Sequence, residues 1–205
     1  MGPGVVVEQD ALINMRTFIA IELPQEIKNR LAQLQTLLKK SGADVKWVKP
    51  DNIHLTLKFL GEISEETLPK IIKIIESATL GKKQFEISLS SLGTFPEGKT
   101  PRVIWIGVNK GDQEIKNTAE TLEENILAGL AIPKENRPFS SHITIGRVKS
   151  NLNMGRLTKD LKEFEGYFGK ETIEFKTSGI TLFKSSLGPS GPSYEPLKVV
   201  NLTTT

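Results

Sequence analysis

Residues 47–61 read Trp47-Val48-Lys49-Pro50-Asp51-Asn52-Ile53-His54-Leu55-Thr56-Leu57-Lys58-Phe59-Leu60-Gly61. Pro50-Asp51-Asn52 is turn chemistry, and Ile53 to Leu60 suits a strand. Side chains alternate faces along a strand, so His54 and Thr56 share one face while Leu55 and Leu57 share the other. The pattern returns once. Residues 137–148 read Arg137-Pro138-Phe139-Ser140-Ser141-His142-Ile143-Thr144-Ile145-Gly146-Arg147-Val148, and His142 and Thr144 repeat the placing of His54 and Thr56. These are the only two histidines in the chain. In each copy an imidazole and a hydroxyl project from a rigid strand, and the apolar pair behind them packs into a core.

Outward from these two stretches, strand and helix signals alternate. Thr17 to Leu23 is an apolar, β-branched run that predicts a buried strand. Pro24 suits the first helical position, and Ile27, Leu31, Leu34 and Leu38 follow at helical spacing, with Gly42 as the stop. Val45 to Val48 predicts a short strand. Ser64-Glu65-Glu66 starts a helix carrying Leu68, Ile71, Ile72 and Ile75, in which Pro69 demands a kink or a later start. Gln84 to Leu92 and Val103 to Val108 read as strands and Gln113 to Leu130 as an amphipathic helix. His142 to Val148 is a strand and Leu157 to Phe168 a helix. Glu171 to Phe183 and Tyr194 to Leu202 close the chain as strands, with Ser185 to Ser193 as a loop by composition.

The 205 residues, 38% hydrophobic and 25% charged, suit one globular domain or two small lobes. No stretch approaches the length of a membrane-spanning helix. The absence of cysteine excludes a disulfide scaffold, a thiol nucleophile and cysteine-ligated metal sites. A net charge of +3 decides nothing about partners by itself. Residues 1–14 lack the basic and apolar segments of a secretory signal and read as a leader or added extension, leaving 15–205 as one two-lobed domain.

Two facing strands of this kind would line a cleft with two imidazoles and two hydroxyl donors. Imidazole titrates near neutrality, so one neutral and one protonated copy supply a general base and a general acid. In-line displacement at phosphorus uses both, one on the attacking oxygen and one on the leaving oxygen. Threonine hydroxyls can donate to the non-bridging oxygens, where charge is to be stabilised. Zinc normally takes three or four protein ligands, and no third ligand type accompanies these histidines at metal-binding spacing. No cofactor is expected. Ser141 and His142 cannot form a dyad, because strand neighbours point to opposite faces. Binding modules with vestigial motifs, and enzymes acting on small cyclic nucleotides, are the competing classes. No Walker loop or adenylation motif is present for nucleotide-driven ligation.

The quoted stretches, together with Arg16 to Pro24, Gly93-Thr94-Phe95-Pro96, Pro101 to Trp105 and Leu182 to Tyr194, resemble the RNA 2′,3′-cyclic phosphodiesterases. These are also called 2′-5′ RNA ligases and belong to the two-histidine (2H) phosphoesterase superfamily. The resemblance runs in order from Arg16 to the C-terminal strand, with Ser141 standing where the family often has proline. It implies an α+β fold of two lobes, in which two antiparallel β-sheets form a V-shaped cleft and helices pack outside. It implies hydrolysis of RNA 2′,3′-cyclic phosphate ends to 2′-phosphomonoesters, with reverse 2′-5′ ligation through the same groups. It also implies that His54 is the proton donor and His142 the proton acceptor, roles that the symmetric motifs leave open. RNA ends, tRNA fragments among them, are the implied partner of a cytoplasmic monomer.

Supporting residues follow from position. The family carries an active-site arginine where Arg147 stands, yet strict alternation from His142 turns Arg147 to the opposite face, and a bulge at Gly146 would restore it. Thr56, Thr144 and Arg147 are therefore the expected phosphate ligands. Lys58 shares parity with His54 and Thr56, which predicts that it reaches the cleft mouth. Phe18, Trp47, Phe95 and Phe139 flank the motifs as candidates for stacking on a base.

Overall fold

The computed structural model describes residues 14–97, 100–164, 173–189 and 191–204. Its elements are, in chain order, β1 (Asn14–Glu22), α1 (Gln25–Lys39), β2 (Val45–Trp47), β3 (His54–Ser64), α2 (Leu68–Thr79), β4 (Phe85–Phe95) and β5 (Val103–Val108). After these come α3 (Asp112–Leu130), β6 (His142–Val148), α4 (Met154–Phe164), β7 (Ile173–Thr177), β8 (Gly179–Gly188) and β9 (Gly191–Asn201). Most boundaries lie within two or three residues of the sequence reading. Pro69 stands in the first turn of α2 after a 3₁₀ turn at Glu65–Thr67, the later start that its missing N–H requires.

The strands pair antiparallel in the order β7-β4-β5-β6-β3-β1-β8-β9, with β2 along β6. Two lobes are legible in that order, β3-β1-β8-β9 and β6-β5-β4-β7. Their inner strands β3 and β6 meet, among the described residues, in a single ladder pair, Leu55 with Ile143. Beyond that pair β2 takes over the edge of β6, opposite residues 146–148, so β3 and β6 part company and a groove opens between the lobes. The chain crosses between lobes. β1-α1-β3 and β5-α3-β6 are the same strand–helix–strand unit, but β4 pairs with β5 and β8 pairs with β1.

Helices cover one face of the sheet. Leu31, Leu34 and Leu38 of α1, Ile71 and Ile75 of α2, Ile115, Leu122 and Ile126 of α3 and Leu157 of α4 are buried there with Leu55, Ile143 and Ile145. Burial of each such side chain stabilises by roughly 1.5–3 kcal/mol. A one-residue slip of β3 or β6 would expose the whole apolar set, so packing fixes which face the histidines take. The other face is open and holds a small separate cluster, Phe18, Ala20 and Phe183 with Tyr194 packed on it.

Two elements differ from the sequence reading. The strand expected from Glu171 to Phe183 breaks at Ser178, its first half pairing with β4 and its second with β1. Gly179 makes the second run possible, since a β-carbon there would lie 2.7 Å from the Val200 carbonyl oxygen. The expected loop from Ser185 to Ser193 is instead the tip of a long β8–β9 hairpin, paired from Gly179–Asn201 out to Gly188–Gly191. Pro192 and Ser193 sit on the edge strand β9, where proline does no harm. The leader assigned to residues 1–14 lies, apart from Asn14, outside the described residues, as do 165–168 of the expected last helix and 171–172 of the following strand.

Candidate active site

His54 and His142 each open a central strand, and each is held the same way. His54 Nδ1–H donates to the carbonyl of Asn52 at 2.7 Å, and His142 Nδ1–H donates to the carbonyl of Ser140 at 2.8 Å. Bonding one ring nitrogen to a carbonyl two residues upstream sets the tautomer and leaves Nε2 for chemistry in both rings. Both imidazoles are half-buried. Because Leu55 opposes Ile143 in an antiparallel pair, the register sets His54 against Thr144 and Thr56 against His142. Neither threonine hydroxyl has a partner among the described residues.

The two strands carry the same bulge. On β3, Ile19 opposes Lys58 while Ala20 opposes Thr56, which leaves Leu57 as the extra residue. On β6, Ile104 opposes Gly146 while Trp105 opposes Thr144, which leaves Ile145 as the extra residue. Each strand therefore buries two consecutive residues, Leu57-Lys58 and Ile145-Gly146, before alternation resumes. The bulge on β6 falls one residue before the glycine expected to host it, and it turns Arg147 to the face of His142 and Thr144. Gly146 faces the core, where a β-carbon would lie 2.9 Å from Val45 and 3.1 Å from Trp47. Gln35 of α1, buried, holds the bulge by donating to the carbonyls of Ile145 and Val48, each at 2.8 Å.

The equivalent bulge on β3 overturns the placing of Lys58 at the cleft mouth. Lys58 is turned to the helical face and buried, its Nζ 2.9 Å from Glu123 Oε1 of α3 and 2.9 Å from the Pro133 carbonyl. Phe59 takes the cleft face in its stead, 54% exposed. Parity with His54 holds only along a regular strand, and one inserted residue inverts it. The four candidate aromatics also divide. Trp47 shares the core face with Gly146, and Phe139 packs on the main core, so neither lines the cleft. Phe18 is buried with its ring centroid 4.8 Å from that of His54, where it supports the imidazole and has no face free for a base. Phe95 stacks on Trp105 and meets His142 edge-on at 5.3 Å.

Several residues around His54 were not foreseen from the sequence. Tyr194 meets the ring edge-on at 5.2 Å, mirroring Phe95 at His142. Asn52, whose carbonyl holds His54, also donates from Nδ2 to the Pro192 carbonyl at 2.7 Å and so ties the hairpin to the motif. Lys28 of α1, buried, bonds Glu22 Oε1 at 3.1 Å and the Asp51 carbonyl at 3.3 Å. A small cavity of about 70 Å³ opens between Lys28, His54 and Tyr194. Burial of His54 lowers its pKa to about 4, with the positive charges of Lys28 and Arg147 adding to the fall against the bond to Asn52. Arg147 therefore acts on the imidazole of the other lobe. Nothing in the apolar periodicity marks Lys28 or Tyr194. Apart from Glu22, six residues before Lys28, the groups they bond or meet ring to ring are 23 residues or more away in the chain.

Among the described residues no three His, Asp or Glu side chains group closely enough to hold a metal ion. No helix among them is long and apolar enough to cross a membrane. Chemically the cleft offers two imidazole Nε2 atoms, two unengaged hydroxyls and a guanidinium on one face.

The family described as LigT like phosphoesterase matches the chain twice, over residues 21–105 and 106–194. The chain is 38% identical over 187 residues to the RNA 2′,3′-cyclic phosphodiesterase of Methanocaldococcus jannaschii, covering 90% of this chain and 99% of that one. It is 31% identical to the enzyme of the same name from Methanothermobacter thermautotrophicus, over 93% of this chain and all of that one. Among solved structures, a Thermus thermophilus protein superposes with a TM-score of 0.74 at 28% identity, covering 92% of this chain and 98% of that chain. Escherichia coli LigT in complex with 3′-AMP superposes with a TM-score of 0.71 at 26% identity, covering 93% and 99%.

Proposed function

The chain belongs to the LigT-like phosphoesterase family, and on that basis we propose that it opens RNA 2′,3′-cyclic phosphodiester ends to RNA 2′-phosphomonoesters by acid–base catalysis without a metal. The observation that carries this reading is the pair of imidazoles on adjoining strands, each with Nδ1 bonded to backbone and Nε2 left for the substrate.

His142 Nε2 takes a proton from water as the water oxygen bonds to phosphorus. The P–O3′ bond breaks, and His54 Nε2–H gives its proton to the departing O3′. The products are a 3′-hydroxyl and a 2′-phosphate, and solvent resets the two rings. Thr56 and Thr144 donate to the non-bridging oxygens, and Arg147 neutralises the phosphate. His54 needs its proton for this role although the free site holds its pKa at about 4. The arriving phosphate anion offsets the repulsion from Lys28 and Arg147 and raises it. With an RNA 5′-hydroxyl attacking phosphorus in place of water, the same groups break the P–O3′ bond and join two ends through a 2′-5′ bond.

The finer reading, a cytoplasmic monomer acting on RNA ends such as those of tRNA fragments, rests on the family membership. Size-exclusion chromatography and cell fractionation test it. The central experiment is hydrolysis of an oligoribonucleotide with a 2′,3′-cyclic phosphate end in the presence of EDTA. A 2′-phosphate product, abolished by His54→Ala and by His142→Ala, is expected. Complete loss with EDTA, restored by one divalent ion, overturns the mechanism.

A further inference from the structure

Lys46 and Arg147 are direct cross-strand partners on β2 and β6. Val45 and Trp47 lie against the core with Gly146, so Lys46 alternates to the open face and stands beside Arg147 there. Both side chains are exposed, and no carboxylate among the described residues pairs with either. Like charges directly opposite on a sheet face destabilise it, and none of the described residues relieves this pair. Arg16, also on the open face, differs in having Glu62 as its cross-strand partner. Lys46 also lies where the lobes meet again at the rim, since a β-carbon at Gly191, in the hairpin tip of the other lobe, would be 3.8 Å from its Nζ.

One cyclic phosphate carries one negative charge, and Arg147 with two threonines already serves it. The ammonium of Lys46 is surplus to that anion. We propose that Lys46 forms a second phosphate subsite, which binds the phosphodiester on the 5′ side of the terminal nucleotide and so distinguishes the end of an RNA chain from a free nucleoside 2′,3′-cyclic phosphate. The inference rests on the hydrolase reading above. The hairpin tip and Lys46 then bound the path by which the strand leaves the cleft. A cationic pair at this spacing suits two successive backbone phosphates, because each long side chain can take its own oxyanion.

The test compares two substrates that differ in that phosphate. These are an oligoribonucleotide ending in a 2′,3′-cyclic phosphate and a nucleoside 2′,3′-cyclic phosphate with a free 5′-hydroxyl. Lys46→Met keeps the stem of the side chain and removes its charge. Its kcat/KM for the oligonucleotide should fall roughly 10-fold or more, mostly in KM, with less than about 2-fold change for the nucleoside. The salt dependence of the oligonucleotide reaction should weaken by about 0.7 in log–log slope, the share of one single-strand phosphate, and Lys46→Arg should restore it. Equal losses on both substrates would place Lys46 at the reaction centre and overturn the subsite, as would no loss on either. A wild-type enzyme inactive on both overturns the hydrolase reading beneath it.

Discussion

Leu55 of β3 and Ile143 of β6 face each other across the one ladder pair between those two strands, among the described residues. Both are fully buried. The residue on either side of each is a member of the candidate site, so one apolar contact in the core sets the offset of His54, Thr56, His142 and Thr144. Packing and chemistry are thus read from the same two strands on opposite faces.

His54 should remain neutral well below the usual imidazole range. With its pKa at about 4 in the folded chain and about 6.5 unfolded, the unfolded state takes up a proton first as pH falls. Stability contributed by the neutral ring is present above about pH 6.5 and is lost as pH drops towards 4, by at most about 3 kcal/mol. Imidazole titration by NMR and urea unfolding between about pH 4 and 7 check this. His54→Gln should flatten the acid side of the stability profile.

Lys28→Met should raise the pKa of His54, because it removes a cation and leaves Glu22 without its partner. If His54 is the acid, the alkaline limb of kcat/KM moves to higher pH in this variant. In the wild type, the same limb should lie at higher pH for kcat than for kcat/KM, since bound phosphate favours the protonated ring. Loss of the acid limb in His54→Ala would exchange the roles of the two histidines.

Thr56→Val and Thr144→Val keep the branched strand shape and remove a donor. Each should lower kcat by roughly 10- to 1000-fold, as removal of an oxyanion donor does, with little change in unfolding midpoint. Unchanged kinetics in both variants would mean that the hydroxyls do not touch phosphate.

Gln35→Leu tests the brace on the β6 bulge. The carbonyl of Val48 loses its side-chain donor and that of Ile145 keeps only the Val48 N–H. A cost of about 1–3 kcal/mol in denaturant unfolding is expected, with a rise in KM from a misplaced Arg147. Adding Arg147→Ala to this variant should raise KM no further than Arg147→Ala alone.

Lys58→Met separates the structural lysine from the catalytic face. It removes the buried ammonium and leaves Glu123, 21% exposed, with the Glu135 N–H, and should destabilise by about 1–3 kcal/mol. Turnover per folded molecule should stay near wild type.

The local pattern of each stretch is sufficient for most of the architecture. Alternation in His54-Leu55-Thr56-Leu57 and its echo places both imidazoles opposite a buried apolar pair, and helical spacing places Leu31, Leu34 and Leu38 in the core. These are short-range consequences of strand and helix period. Lys58 and Arg147 show where that reasoning stops. Each lies after a bulge whose existence depends on what the neighbouring strand offers, Ala20 and Ile19 in one case, Trp105 and Ile104 in the other. The hairpin from Ser185 to Ser193 escapes the sequence reading for a similar reason, since its ladder partners, and not its composition, make it a strand pair.

Residue order alone is enough to present two histidine–threonine strands on an α+β scaffold, because side-chain alternation and apolar burial are properties of a few adjacent residues. Which further groups reach those histidines is a matter of tertiary contact. Lys28, Asn52, Tyr194 and Arg147 come to His54 from α1, the turn before β3, the hairpin and the other lobe. Their place depends on cross-strand register and helix docking, which are settled by contacts between residues far apart in the chain. The depressed pKa of His54 has the same origin, since burial and charge at one ring are summed over everything packed around it.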